Sequence, residues 1–140
     1  MTILKMNDVS YAYTSGSKIQ HILKNVSIEF KSGHFYAVLG ESGSGKTTAL
    51  SLLSGLDSPT EGQIEYDGRD LRKIGLTRYR SRHAATVFQA FNLLTYLNAI
   101  DNIIVALELS GRKVKSKRSH ALDLLAQVGL DETHAEKKVL

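Results

Sequence analysis

The chain has 140 residues, 42% of them hydrophobic and 23% charged, which suits one domain with a modest core. It has no cysteine, which excludes disulfides and thiolate metal sites and is compatible with the cytosol. The formal net charge of +4 fits nucleic acid, an anionic membrane surface or phosphate ligands, and does not choose among them. Apolar runs such as Ile103-Ile104-Val105-Ala106-Leu107 are far too short to span a bilayer, and no long apolar stretch follows a basic start, so no signal peptide is expected.

In chain order, Ile3 to Val9 and Ile22 to Phe30 are strand candidates, with Thr14-Ser15-Gly16-Ser17 as the turn between them. His34-Phe35-Tyr36-Ala37-Val38-Leu39 is a further run of strand formers, ending at Gly40. Residues 40–47 then read Gly-Glu-Ser-Gly-Ser-Gly-Lys-Thr, a complete G-x-x-x-x-G-K-S/T phosphate-binding loop. The pattern has a mechanism. Its glycines let successive backbone N–H groups turn inward around phosphate oxygens; Lys46 can reach the β- and γ-phosphates, and the Thr47 hydroxyl can ligate Mg²⁺. From Lys46 the residues through Ser54 read as a buried helix with Gly55 as its stop, and the helix dipole adds its positive end to the same anion site.

Asp57 to Gly62 is dense in turn formers, Gln63 to Tyr66 alternates as a short strand, and Asp67-Gly68 closes it. A polar stretch containing Leu71, Ile74 and Leu76 leads to another apolar strand candidate, Ala84 to Phe88. From about Asn98 the pattern is helical, with Ile100, Ile103, Ile104 and Leu107 at helical spacing and Ser110-Gly111 as the end. Ser116 or Ser119 starts a further helix with Ala121, Leu122, Leu125 and Val128 on its apolar face and Gly129 as a stop. The basic cluster Arg112, Lys113, Lys115, Lys117 and Arg118 reads as a solvated turn between these helices; without interleaved aromatics it does not make a single-strand nucleic-acid platform. His21, His34, His83, His120 and His134 show no spacing that suggests a ligand or base.

Taken with the loop at 40–47, further residues resemble the ATP-binding subunit of an ABC transporter, and the likeness runs over essentially the whole chain. Leu52 to Gly62 resembles the family's stretch from the phosphate-loop helix to the next strand. Val87-Phe88-Gln89-Ala90-Phe91-Asn92-Leu93-Leu94 resembles the family's Q-loop, whose Gln contacts Mg²⁺ and the attacking water; Gln89 is the matching position. Tyr13 matches the aromatic residue that stacks on adenine, and Tyr11, two residues away, is expected on the opposite side of the strand. Phe91 to Thr95 followed by Asp101-Asn102 resembles the subgroup serving lipoprotein release, macrolide export and antimicrobial-peptide resistance.

The resemblance implies an α/β fold of the P-loop nucleotide hydrolase type. An N-terminal antiparallel β subdomain and part of the α/β core would occupy residues 1–89, and the start of a helical subdomain 90–140. It implies ATP and Mg²⁺ as ligands, held by Tyr13, Gly40, Glu41, Ser42, Gly43, Ser44, Gly45, Lys46, Thr47, Thr48 and Gln89, with Thr47 and Gln89 at the metal. It implies a transmembrane permease subunit and a second ATP-binding subunit as partners, a peripheral position on the cytoplasmic face of the cell membrane, and no nucleic acid. The signature motif Leu-Ser-Gly-Gly-Gln, a Walker B Asp with its catalytic Glu, and an H-loop His are not found in the 140 residues; the nearest Walker B imitation, Ile103 to Glu108, has a helical context. The expectation is a truncated chain that binds nucleotide weakly, turns it over negligibly alone, and has an unpaired edge beside its phosphate-loop strand. The alternatives are a non-hydrolysing nucleotide-binding fragment and an ABC ATPase working outside transport.

Overall fold

The computed structural model describes residues 1–16 and 18–138. Residues 1–86 form one compact unit and a second begins at Val87. In the first unit, β1 (Thr2–Ser15), β2 (Lys18–Lys31), β3 (Glu61–Tyr66) and β4 (Arg69–Asp70) make an antiparallel sheet of order β2-β1-β3-β4. The first two strands run well beyond the expected spans because pairing, interrupted by register shifts, continues along the hairpin from Thr2 opposite Lys31 to Tyr13 opposite Gln20.

One face of this sheet buries Met6, Val9, Tyr11, Leu23 and Ile64 against Leu52, Leu53, Leu71 and Tyr79. Met6 and Val9 are three residues apart, so strict alternation would put them on opposite faces. The register of β1 shifts between them, and Asp8 takes a positive φ of 46°. The extra residue of this bulge re-aims Val9 into the core. Ser27 Oγ holds the bulge, accepting from the Asp8 N–H at 2.9 Å and donating to Asp8 Oδ1 at 3.0 Å.

The helix expected after the phosphate loop is α1 (Lys46–Leu53). Leu52 and Leu53 are buried, but Leu50 is 55% exposed, so the helix is covered on one side and not throughout. Its carboxyl end is held by α3 (Leu76–Arg82), which follows α2 (Leu71–Ile74), two short helices that the sequence reading passes over. The buried Tyr79 hydroxyl donates to the Leu53 carbonyl at 3.0 Å, and the Arg80 guanidinium donates to the Gly55 carbonyl. The Leu53 carbonyl, at the helix end with no partner inside the helix, is thereby satisfied. Asp70 starts α2 by accepting from the Arg72 N–H at 2.8 Å.

Two expected strands are not formed. Residues 34–40 and 84–88 carry no strand pairing, and Phe35 and Val87 are each 95% exposed. Extended preference becomes a strand only when a neighbour takes the backbone N–H and C=O groups, and no strand among the described residues pairs with either run.

The second unit contains α4 (Ala99–Ser110), α5 (Lys117–Gln127) and α6 (Glu132–Ala135), the last not anticipated. Ile100, Ala121, Leu125 and Ala135 form its core, with Ile103, Ile104 and Leu122 packed beside them. Asn98 caps α4 through the Asp101 N–H at 2.7 Å, Ser116 caps α5 through the Ser119 N–H at 3.2 Å, and Gly111 ends α4. Val128 lies past the last turn of α5 and is exposed, so it is not part of the apolar face. In the basic cluster, Lys117 pairs with Glu108 and Arg118 with Glu136, while Arg112, Lys113 and Lys115 are exposed, as a solvated turn requires.

Candidate functional site

The phosphate loop is built by the end of one element and the start of another. Gly45, at φ 87°, is the residue from which α1 departs, and no side chain caps the helix start. A Cβ there would lie 2.9 Å from Leu23 Cδ2 and 3.2 Å from the Ile22 carbonyl oxygen. Both the positive φ and the close approach to β2 therefore demand glycine. With no side-chain cap, the first-turn N–H groups of α1 are left for an anion.

Lys46 crosses the loop. Its Nζ donates to the carbonyls of Gly40 at 2.9 Å and Glu41 at 2.6 Å, with Ser44 Oγ at 3.4 Å. The Ser44 N–H donates to the Glu41 carbonyl at 3.2 Å, which closes the turn. Residues 40–44 and Thr47 are exposed, while Gly45, Lys46 and Thr48 are half-buried. The result is an ammonium held at the mouth of an open loop by neutral carbonyl oxygens. Phosphate oxygens offer it a stronger, charge-assisted set of acceptors at the same place.

The donor set also fits Mg²⁺. Thr47 presents a hard oxygen in the first turn of α1, and among the described residues no group of His, Cys, Asp and Glu forms a cation cage. Mg²⁺ ordinarily takes few protein ligands and fills its octahedron with water and substrate phosphates.

Tyr13 lies on β1 opposite Gln20 and is 53% exposed. Tyr11 does not point away from it, as the sequence reading expected. Residues two apart share a face of a strand, and the two rings meet edge to face with centroids 5.0 Å apart. Tyr11 is buried, and its hydroxyl donates to the Asp57 carboxylate. That carboxylate, followed by burial, pushes the phenol above its ordinary range. Leu23, which sits against Gly45, is the cross-strand partner of Tyr11. One hairpin thus carries the exposed aromatic and supports the phosphate loop.

Gln89 belongs to the second unit and is exposed. The segment that follows it is held by a clamp that the sequence reading named only as a likeness. Asn102 on α4 accepts from the Leu94 N–H at 2.9 Å and donates to the Leu94 carbonyl at 3.1 Å and the Asn98 carbonyl at 2.9 Å. The roles of Asp57, Tyr79 and Arg80 were likewise missed. Leu76, Tyr79 and Arg80, at i, i+3 and i+4 after Gly75, are the available signal for the last two.

The ABC transporter family model matches residues 23–139. This chain belongs to that family. It is 47% identical over 140 residues to an uncharacterized ABC transporter ATP-binding protein, YclH, of Bacillus subtilis, covering all of this chain and 61% of that protein. It is 35% identical over 126 residues to the lipoprotein-releasing system ATP-binding protein LolD of Bdellovibrio bacteriovorus, covering 88% of this chain and 57% of that protein. The solved dimer of the ATP-binding cassette MJ0796, from Methanocaldococcus jannaschii, in a post-hydrolysis state with ADP and Pi superposes with a TM-score of 0.86 at 35% identity. The superposition covers 97% of this chain and 61% of that one. The α/β fold of the P-loop ATPase cassettes is therefore that of this chain, which spans about three fifths of the length of these relatives.

Proposed function

We propose that this chain binds MgATP and serves as the ATP-binding part of a transporter that moves a substrate out of, or extracts it from, a membrane through a permease partner. The observation that carries the reading is the phosphate loop, where the Lys46 ammonium lies across the carbonyls of Gly40 and Glu41 at the foot of α1. In this reading Lys46 neutralises β- and γ-phosphate charge. Gly43, Ser44, Gly45, Thr47 and Thr48 supply backbone and hydroxyl donors, with Gly40, Glu41 and Ser42 completing the turn. Tyr13 stacks on adenine. Thr47 and Gln89 would hold Mg²⁺, which would supply positive charge to offset that of the phosphates.

The dimeric cassette of the similar MJ0796 supports a second ATP-binding subunit as partner. The similarity to a lipoprotein-releasing ATP-binding protein supports a permease partner and a peripheral place on the cytoplasmic membrane face. No helix among the described residues is long and apolar enough to cross a membrane. The turnover of this chain alone is proposed to be negligible, because phosphoryl transfer also needs a positioned water and base. The Asp-Glu pair in these 140 residues, Asp131-Glu132 after Val128-Gly129-Leu130, opens α6 with Asp131 as its cap and does not end a strand.

Calorimetric titration with MgATP tests the binding reading. Lys46→Ala should weaken binding by about tenfold or more, the worth of a hydrogen bond to a charged group. Equal affinities in the two proteins would refute the assignment of the loop. Mg²⁺-dependent ATP hydrolysis by the 140 residues that vanishes in Lys46→Ala would refute the statement on turnover.

A further inference from the structure

The exposed Tyr13 ring is built on a support that its own strand does not explain. Its edge-to-face neighbour Tyr11 is buried and is clasped by the carboxylate of Asp57, which lies just past the end of α1. The same short stretch grips β1 twice more. The Ala12 N–H donates to Thr60 Oγ1 at 3.0 Å, and the Thr60 N–H donates to the Ser10 carbonyl at 2.9 Å. Asp57 is itself oriented, since its Oδ1 accepts from the Ser58 N–H at 2.7 Å and leaves the other oxygen for Tyr11. Residues 57–60 thus form a clasp between the phosphate-loop helix and the part of β1 that presents Tyr13.

A side chain 53% exposed on a strand near the hairpin tip has several rotamers open to it. A stacking platform needs one. The Tyr11 ring, fixed at its far end by Asp57, supplies a wall against one side of Tyr13. We infer that Tyr11, held by Asp57, is a positioning residue that sets the Tyr13 ring for the base, so that the segment leaving the phosphate helix also governs recognition of adenine. This rests on the reading of Tyr13 as the base platform. Tyr11 does not touch the nucleotide in it; its hydroxyl is turned inward to Asp57.

The test compares affinities for MgATP and for magnesium tripolyphosphate, a probe with phosphates and no base. Tyr13→Ala should lose about fivefold or more in ATP affinity, the low end of an aromatic–base stack, and leave tripolyphosphate unchanged. Tyr11→Phe, which keeps the ring and removes only the hydroxyl, should lose about three- to tenfold in ATP affinity with tripolyphosphate again unchanged. Asp57→Ala should repeat Tyr11→Phe, whereas Asp57→Asn keeps an acceptor oxygen and should stay near the parent. Unchanged tripolyphosphate affinity also shows that the phosphate loop of each variant is folded. Equal losses for both ligands in Tyr11→Phe would mark a merely structural role and overturn the inference. So would a Tyr11→Phe protein that binds ATP like the parent while Tyr13→Ala does not. A Tyr13→Ala protein with full ATP affinity would overturn the base platform itself, and the positioning role with it.

Discussion

Tyr79 offers a direct probe of how the phosphate helix is held. Its side chain is 3% exposed, its ring lies 5.4 Å from that of Tyr66 and 6.4 Å from that of His83, and its hydroxyl bonds the last carbonyl of α1. An α1 of eight residues is too short to persist without tertiary support, so its geometry depends on this docking. Tyr79→Phe removes the hydrogen bond to the Leu53 carbonyl and keeps the ring. The expected loss is about 1 kcal/mol, which for a unit of this size lowers the melting temperature by about 4–8 °C. Tyr79→Ala removes the ring as well and should cost about 3–5 kcal/mol, a large share of the total stability of a small domain.

Urea unfolding of the 140-residue chain, followed by circular dichroism, separates the two contributions. The midpoint should fall modestly for Phe and steeply for Ala, with the urea dependence of the parent kept by the Phe variant. Nucleotide affinity of Tyr79→Phe under native conditions should match the parent, because the lost bond lies at the end of α1 away from Lys46. If Tyr79→Phe melted with the parent while Tyr79→Ala lost under 1 kcal/mol, the docking of α1 through α3 would be wrong. If Tyr79→Phe kept its stability yet lost ATP affinity, Tyr79 would belong to the site and not to its support.

The bulge in β1 makes a second prediction: a Cβ at Gly62, whose φ is 77°, would lie 2.3 Å from the Asp8 carbonyl oxygen and 2.5 Å from that of Asn7. Gly62→Ala should cost at least about 1–3 kcal/mol in urea unfolding, and an unchanged midpoint would show that the bulge is not as described. Asn102→Ala removes the acceptor of the Leu94 N–H; amide hydrogen exchange at Leu94 should quicken by about fivefold while the middle of α4 keeps its protection. Alkaline pH gives a fourth. Tyr11 and Tyr79 are both raised from an ordinary value of 10.0, the first chiefly by its bond to Asp57 and the second by burial. Their contribution is fully present below the unfolded value and is lost as pH rises through the folded ones. Stability measured by urea midpoint should fall above about pH 10, and Tyr11→Phe with Tyr79→Phe should flatten that fall; an equally steep fall in the double variant would refute it.

What could be read from the amino-acid order follows from how local each cause is. The phosphate loop was legible because its chemistry asks for particular residue types at fixed offsets, and Gly45 and Lys46 have the geometry that the spacing demands. Helices α4 and α5 were legible for the same reason, since Asn98 and Ser116 as caps and Gly111 as a stop act within one turn. The short helices α2, α3 and α6 were missed because their stability comes from what they dock on. Tyr79 and Arg80 find their partners in carbonyls some 25 residues earlier, a relation that no local window contains.

The strands show the limit most sharply. The run from His34 to Leu39 has ample β preference and forms no strand, whereas Thr2 to Ser15 includes Asp8 and Asn7, poor strand formers, and is a strand throughout. The difference is the partner: β1 has β2 on one side and β3 on the other, and 34–40 has neither among the described residues. Alternation is equally conditional. It places Tyr11 and Tyr13 on one face, and it fails between Met6 and Val9, where a bulge adds a residue. A one-residue insertion in register reverses every inside-outside assignment beyond it. The platform at Tyr13 therefore depends on the bulge at Asp8 as well as on its own residue type, and the bulge depends on Gly62 and Ser27 across the sheet.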